Sequence, residues 1–194
     1  MTNRFLLFSL LLILAASGCD RCRNPEIIDT GDLTPEKLAL VPYADGEVVR
    51  LKHSAGQVID YTVSRSTTVE TREYSSYCEV LKFRLNTTRL VPVYPVFPIT
   101  FYIANTDVNY TAFESVVGKY FYYLPKSKDE ALTYGTMSDI YINDSLYRDV
   151  FMMKTPSYSI LPNEIIYVDS LWYNYSSGII KILMSNKESY IIYE

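Results

Sequence analysis

The sequence predicts an all-β fold, an antiparallel meander that forms a sandwich or a half-open barrel with at most one or two short helices. The chain of 194 residues contains 19 Tyr, 8 Phe and 1 Trp, and aromatic rings pack well on the half-buried surface of a sheet. In segment 58–64, Ile59, Tyr61 and Val63 alternate with polar residues, as in a strand with one buried face. In the C-terminal third, turn-forming residues recur at short intervals without helical patterns between them, which is typical of hairpins.

The N-terminus has the parts of a secretory signal peptide. Arg4 is the only charged residue in 1–19, and it precedes an apolar run over 5–16 that only Ser9 interrupts. A basic start, a short apolar run and small residues after it define such a signal. The run is shorter than the roughly 20 apolar residues that span a bilayer. No other stretch approaches that length, so we expect no transmembrane helix.

The end of this segment, Leu14-Ala15-Ala16-Ser17-Gly18-Cys19, resembles the lipobox of bacterial lipoproteins. The resemblance implies a diacylglycerol on the Cys19 sulfur, cleavage after Gly18 and acylation of the new N-terminus. Ala16 stands where the family more often has Leu. The alternative is an ordinary signal peptide with a cysteine near its end. Two or three acyl chains on one residue would hold the protein firmly at a membrane, so we expect a lipid-anchored protein of the cell envelope, at the outer membrane, on its periplasmic or its outer face.

These features predict three parts: a signal peptide over 1–18, a lipidated flexible tether over 19–36 and a single β domain over 37–194. The tether is polar and interrupted by proline. The 176 residues that remain after cleavage suffice for one hydrophobic core. With Cys19 lipidated, Cys22 and Cys78 either form a disulfide in the oxidising envelope or remain free or buried thiols.

Four local patterns predict elements before the C-terminal hairpins. Thr34-Pro35 is an N-cap followed by proline and starts a helical turn that runs through Leu40. The apolar phase changes between Val80 and Leu81, which predicts a β-bulge or a bend of the strand there. Prolines at every third position in 91–98 favour an extended crossover or edge segment. Ser127 to Glu130 match a capping box that starts a short helix through Leu132.

The remaining strands follow from turn residues. Asn143-Asp144 separates a strand that contains Ile140 and Ile142 from a returning strand over 145–153. Further strands are expected over 165–175, 179–184 and 189–193, with turns at 176–178 and 186–187.

Several function classes receive no support. The net charge of −4 becomes −5 when Arg4 is removed with the signal peptide, and no basic run is present, so we expect no nucleic-acid partner. His53 is the only histidine and is interpreted as a surface residue at a strand end. Residues 105–109 resemble the start of a calcium loop, but Tyr110 and Val116 replace the required Gly and Glu, which favours an Asx-rich turn. We therefore predict no catalytic residues, no metal site, no cofactor and no enzymatic activity.

Two further resemblances concern the source of the chain. Asp144-Ser145-Leu146 and Asp169-Ser170-Leu171 resemble the O-glycosylation signal of Bacteroidota, so Ser145 and Ser170 are candidate glycosylation sites. The opening motif in 41–49, Ser145 to Val150, the tyrosine-rich run Trp172 to Ile182 and the turn at 185–190 together resemble small uncharacterised lipoproteins of Bacteroidota. The resemblance covers most of 40–194 and implies strands and turns rather than an activity. Lys187 replaces the glycine that the family has in its last turn.

Three hypotheses follow for function. The first is a binding or assembly module whose partner is a glycan, a peptide or a protein, with an exposed patch of Tyr and Trp172. The second is a carrier of lipid or another apolar ligand in a half-barrel, which requires an open apolar cavity of several hundred Å³. The third is a hydrolase, which requires a concave site with two carboxylates about 5–10 Å apart.

Overall fold

The computed structural model describes residues 24–74, 78–94, 96–107, 110–134 and 137–193. The predicted signal peptide, Cys19 and Cys22 lie outside these residues. The described part contains two α-helices, α1 (Pro35–Leu38) and α2 (Lys128–Tyr134), and a 3₁₀ turn, Ser157–Ser159. It also contains twelve strands: β1 (Glu26–Asp29), β2 (Val48–His53), β3 (Val58–Tyr74), β4 (Glu79–Pro92), β5 (Ile99–Asp107), β6 (Tyr110–Val117), β7 (Tyr120–Tyr123), β8 (Met137–Ile142), β9 (Ser145–Lys154), β10 (Val168–Asn174), β11 (Gly178–Met184) and β12 (Ser189–Ile192).

All twelve strands belong to one sheet, which curls into a half-open barrel. Its order is β7-β6-β5-β4-β3-β2-β12-β11-β10-β9-β8, and β1 pairs with β4 in parallel. Two antiparallel meanders, β2 to β7 and β8 to β12, are joined where β12 pairs with β2, with Ile192 opposite Leu51. β7 and β8 end the sheet on its two sides. The predicted all-β meander is confirmed, in its half-barrel rather than its sandwich form.

The core lies on the inner face of the curled sheet. Ile59, Tyr61 and Val63 are buried, as their alternation predicts. Tyr173 lies at the centre of an aromatic cluster, with its ring centroid 5.5 Å from those of Phe101 and Phe151. Because aromatic pairs at this spacing attract beyond their buried area, the cluster holds strands of the two meanders together.

The segment before β2 closes one side of this core. The Arg65 guanidinium, on β3, donates to three backbone carbonyls of segment 38–43 at 2.6–3.3 Å. From the other meander, Tyr173 donates its hydroxyl hydrogen to the same segment, at 2.5 Å from the Leu40 carbonyl oxygen. The Tyr43 hydroxyl accepts the Ile179 N–H at 2.6 Å. The segment therefore connects the two meanders through hydrogen bonds that are buried or partly buried.

The ordered domain starts earlier than residue 37. Within the stretch 19–36, predicted as a flexible tether, β1 pairs with β4, and the Glu26 N–H donates to the Cys78 carbonyl at 2.9 Å. Thr34 caps α1 as predicted, with its hydroxyl accepting the Lys37 N–H at 3.4 Å. Cys78 is disulfide-bonded. Because Cys22 lies outside the described residues, its pairing with Cys78 stays a prediction.

The predicted bulge between Val80 and Leu81 is wrong. The β3–β4 register continues without a shift from Tyr61 opposite Pro92 to Tyr74 opposite Glu79. Burial changes phase further along β4, because Leu81 and Phe83 are buried on one face of the sheet and Asn86, Thr88 and Leu90 on the other. The first face is covered locally by Ile28 and Ala104. The buried face of β4 therefore changes between Phe83 and Asn86, beyond the position at which the apolar pattern of the sequence changes.

The other local predictions are confirmed with modest changes of extent. Asn143 and Asp144 have positive φ of 48° and 66° and join β8 to β9. The Ser127 hydroxyl accepts the Glu130 N–H at 3.1 Å at the start of α2, which runs two residues past Leu132. The strand expected over 165–175 is limited to Val168–Asn174. Val91 and Pro92 end β4, and β4 pairs directly with the next strand, β5, so the chain does not cross between sheet halves here.

The tight approach of Tyr43 to Gly178 gives a stability prediction. A Cβ on Gly178 would overlap the Tyr43 hydroxyl, and the glycine has φ of +74°. Gly178→Ala should therefore lower the free energy of unfolding by about 3 kcal/mol, from backbone strain together with overpacking. Gly56→Ala is the control, because Gly56 has φ of +98° but no atom within 4 Å of its added Cβ. The control should lose only about 1 kcal/mol. Equal losses in urea denaturation of the two variants would contradict a close fit around Gly178.

Candidate ligand-binding cleft

A cleft of about 660 Å³ lies at the open seam of the half-barrel, between β7 and β9. α2 and segment 124–126, which follows β7, contribute to its lining. The lining is largely apolar and includes the residues Tyr110, Phe113, Phe121, Tyr122, Tyr123, Leu124, Pro125, Ala131, Phe151, Met152, Met153 and Pro156. Its volume lies within the range of about 300–1,000 Å³ that is usual for small-molecule sites.

The floor of the cleft is held in place by the core. Phe113 and Phe151 are each 2% exposed. The Phe151 ring centroid lies 5.2 Å from that of Tyr175 and 5.5 Å from that of Tyr173. The Phe113 ring meets Tyr173 edge-on at 6.0 Å. Since these rings are packed on several sides, the floor is a preformed apolar surface.

The walls and rim are more exposed. Met152 and Met153 are half-buried, and the unbranched thioether side chain adapts to irregular apolar shapes. At the rim, Phe121 and Tyr123 meet edge to face at 4.9 Å, and Tyr123 is 69% exposed. Tyr110, on the same side, is 53% exposed. Large apolar rings at a cavity mouth lose contact with water when a ligand covers them, which favours binding.

Side chains, rather than a strand ladder, connect the two sides of the seam. The Tyr122 hydroxyl lies 2.5 Å from Thr155 Oγ1, which also donates to the Val168 carbonyl. The Tyr120 hydroxyl donates to Glu164, and Lys119 Nζ lies 2.7 Å from the same carboxylate. Lys119 and Tyr120 thereby lower the pKa of Glu164. Burial raises the pKa of Tyr122 to about 12. Burial and the carboxylate of Glu164 together raise the pKa of Tyr120 well above its ordinary value. These contacts hold β7 near β9 without closing the sheet.

Three charged residues line the cleft. Lys126 Nζ lies 4.1 Å from the centroid of the Tyr110 ring and 3.5 Å from Glu130 Oε1. The other Glu130 oxygen accepts the Lys126 N–H at 2.7 Å, which fixes the carboxylate at the start of α2. Lys154 is exposed at the end of β9.

The candidate modification sites differ in accessibility. Ser145 is exposed at the first position of β9, and glycosylation there stays a prediction. Ser170 is 1% exposed in β10, and its hydroxyl accepts the Trp172 indole N–H at 3.2 Å. A glycan on Ser170 is therefore incompatible with the folded sheet. Cys19, the predicted lipid site, lies outside the described residues.

The aromatic residues do not share one surface with Trp172. Trp172 is half-buried, packs with Tyr147, Val150 and Ile180, and has Lys181 Nζ 5.6 Å from its ring centroid. Six of the described tyrosines are buried. Trp172 is therefore not part of an exposed aromatic patch. Exposed aromatic rings do lie together at the rim of the cleft.

Two residues singled out in the sequence have structural roles. His53 ends β2 as expected, but its side chain is only 13% exposed and its Nε2 lies 3.8 Å from Glu188. Asn105 lies in β5 and is 4% exposed rather than part of a surface turn. Its amide oxygen accepts from Lys37 Nζ and from Thr111, which ties α1 to the β5–β6 hairpin.

Residues with enzyme-like chemistry do not converge in the cleft. Among the described residues, no group of three or more His, Cys, Asp or Glu side chains is arranged to hold a metal ion. Of the described residues that line the cleft, Glu130 is the one with a carboxylate, whereas the hydrolase hypothesis requires two. Within the same described ranges, no helix is long and apolar enough to cross a bilayer.

Sequence reasoning did not identify the cleft residues. Tyr122, Phe113 and Phe151 follow ordinary strand alternation, and nothing local distinguishes a ring that lines a cavity from one that fills a core. One general feature of the sequence favours a cavity, which is that its strands contain more apolar residues than a small sandwich needs. Comparison with known proteins gave no match to this chain among family models, curated proteins or solved structures.

The buried Tyr122 hydroxyl predicts a loss of stability at high pH. An unfolded tyrosine ionises near pH 10, whereas burial holds the pKa of Tyr122 at about 12 in the folded protein. The folded state therefore binds more protons than the unfolded state between these values, and the free energy of unfolding falls as pH rises from about 10 to 12. Below pH 10 this group adds no pH dependence.

Tyr122→Phe should reduce that slope by up to about 1.4 kcal/mol per pH unit. The lost contact with Thr155 lowers stability equally at every pH, so the slope isolates the ionisation. Tyr141→Phe is the control, because Tyr141 is 75% exposed, and it should leave the slope unchanged. Urea denaturation at pH 9 to 11.5 measures both. An unaltered slope in Tyr122→Phe would show that this hydroxyl is not buried.

Proposed function

We propose that this protein is a non-catalytic carrier or binding protein of the bacterial cell envelope that holds an apolar ligand in the open seam of its half-barrel. The observation that supports this function is the cleft of about 660 Å³ with its aromatic and methionine lining. Carrier function requires a cavity of several hundred Å³, and this cleft meets that requirement. Recognition by a Tyr and Trp172 surface has less support, because Trp172 packs into the sheet.

The cleft suits reversible binding. Phe113 and Phe151 provide a fixed floor, so little ordering accompanies the entry of a ligand. Met152 and Met153 let one wall adjust to ligands of different shape. The open seam gives a route in and out that does not require breaking a strand ladder.

A fluorescent apolar probe tests this proposal. N-phenyl-1-naphthylamine should bind the wild-type protein with increased emission, because its rings would leave water for the cleft. Met153→Trp adds bulk to the lining and should weaken binding by about ten-fold or more, a change of 1.4 kcal/mol or more.

Met184→Trp is the matched control, because Met184 is also half-buried against the core but is not among the residues that line the cleft. It should bind the probe as the wild type does. Circular dichroism and thermal unfolding verify that both variants fold. If Met153→Trp is unfolded, Ala131→Leu, a smaller filling of the same cleft, replaces it. Absence of probe binding by the wild type, or equal weakening in the filled variant and the control, would contradict the proposal.

We also propose that Cys19 carries the lipid that anchors the protein, on the basis of its lipobox-like context. The full chain expressed in a bacterium with an alkyne-labelled palmitate should take up label and collect with the membranes. Cys19→Ala should lose both properties, and Cys22→Ala, three residues away, should retain them. Labelling of the Cys19→Ala protein would contradict lipidation at this residue.

A further inference from the structure

The mouth of the cleft has one positive charge without a nearby negative partner. Of the three charged residues in the lining, Lys126 is paired with Glu130 and covers the Tyr110 ring. Lys154 forms no ion pair with any residue in the described part of the chain. The full chain has a net charge of −4, so this positive site is local and opposite in sign to the whole protein.

Backbone donors on β7 point to the same space. The Leu124 N–H donates to the Phe113 carbonyl of β6 at 2.9 Å. Since hydrogen-bonded and non-hydrogen-bonded positions alternate along an antiparallel pair, the N–H and C=O groups of Phe121 and Tyr123 point away from β6. β7 ends the sheet, so these groups have no strand partner in the described part of the chain, and both residues line the cleft.

On the opposite side of the cleft, the backbone of Lys154 is also directed away from its paired strand. The Thr155 N–H donates to the Asp169 carbonyl at 2.9 Å, and the register continues into the β9–β10 pair. Alternation directs the backbone groups of Lys154 away from β10. β8 begins at Met137, opposite Phe151, and its described residues do not reach Lys154. Among the described residues, the backbone N–H of Lys154 therefore has no strand partner, and the same residue, with its positive side chain, lines the cleft.

We propose that the ligand is an anionic amphiphile, whose apolar chain lies in the cleft and whose carboxylate or phosphate head binds at Lys154. This inference rests on the proposed function and specifies its ligand class. An acidic head group offers acceptors only, which matches an ammonium and outward N–H donors. An uncharged head group cannot form the ion pair with Lys154. A protonated amine head group is repelled by Lys154 and has no acceptor for the N–H donors.

Ligands of equal chain length separate the head group from the chain. Dodecanoate, dodecyl phosphate, dodecanol and dodecylamine, each below its micelle concentration, compete with N-phenyl-1-naphthylamine for the wild-type protein. The two acids should displace the probe at concentrations about five-fold or more below the alcohol, and the amine should be the weakest. A preference for one acid over the other identifies a fatty acid or a phosphate-bearing lipid as the source of the head group.

Lys154→Met keeps an apolar side chain of similar length and removes the charge, so it should lose the preference for the acids over dodecanol. Lys154→Arg should retain the preference. Lys187→Met removes the same charge from an exposed turn outside the cleft and should also retain it. Equal affinity of acids and alcohol for the wild type, or equal loss in the Lys154 and Lys187 methionine variants, would overturn head-group recognition while leaving apolar binding intact. Failure of the probe itself to bind would overturn the proposed function and this inference with it.

Discussion

The pairing of β12 with β2 determines which strands form the two free edges of the sheet. It joins the first meander to the last across more than 130 residues of sequence, with Tyr190 opposite His53 and Ile192 opposite Leu51. Because each meander is continuous from that pair outwards, the strands left at the two ends are β7 and β8. The position of the seam and its cleft thus follows from the pairing of β12 with β2, on the other side of the sheet. A sheet joined at any other pair of strands would place its free edges elsewhere.

Contacts on the inner face keep this open sheet from collapsing or spreading. Arg65 and Tyr173 belong to different meanders and bind the same short segment, 38–43, through its carbonyl oxygens. At the seam, Tyr122 contacts Thr155 and Tyr120 contacts Glu164. A tyrosine side chain is long and rigid, with an apolar ring and one polar end, so it can span a gap between strands while its ring packs in the core. Tyrosine is therefore abundant for a structural reason, because it links strands across the fold. Some of the same residues also line the cleft.

Much of the fold could be predicted from the sequence because its signals are local. Asn143-Asp144 adopts positive φ, Ser127 caps α2, and Ile59, Tyr61 and Val63 are buried as their alternation indicates. The failures are nonlocal. Leu81 and Phe83 change phase relative to Leu90 because different faces of β4 are covered, and neighbours distant in sequence decide that. Residues 26–29 look like a polar tether until β4 provides a partner. The cleft depends on which strands stay unpaired, and no pattern within a single strand specifies it.

Free sheet edges usually carry a risk, since unpaired N–H and C=O groups can pair with another chain. In this protein β7 is only four residues long, and α2 with its preceding segment lies beside it rather than a further strand. The outward groups of Phe121 and Tyr123 sit between bulky aromatic side chains, with Lys126 and Lys154 at the mouth. Short length and nearby positive charge both disfavour strand addition by a neighbouring copy. The same two features leave room for a narrow ligand with an acidic end, so the arrangement that protects the edge is also the one that would select its occupant.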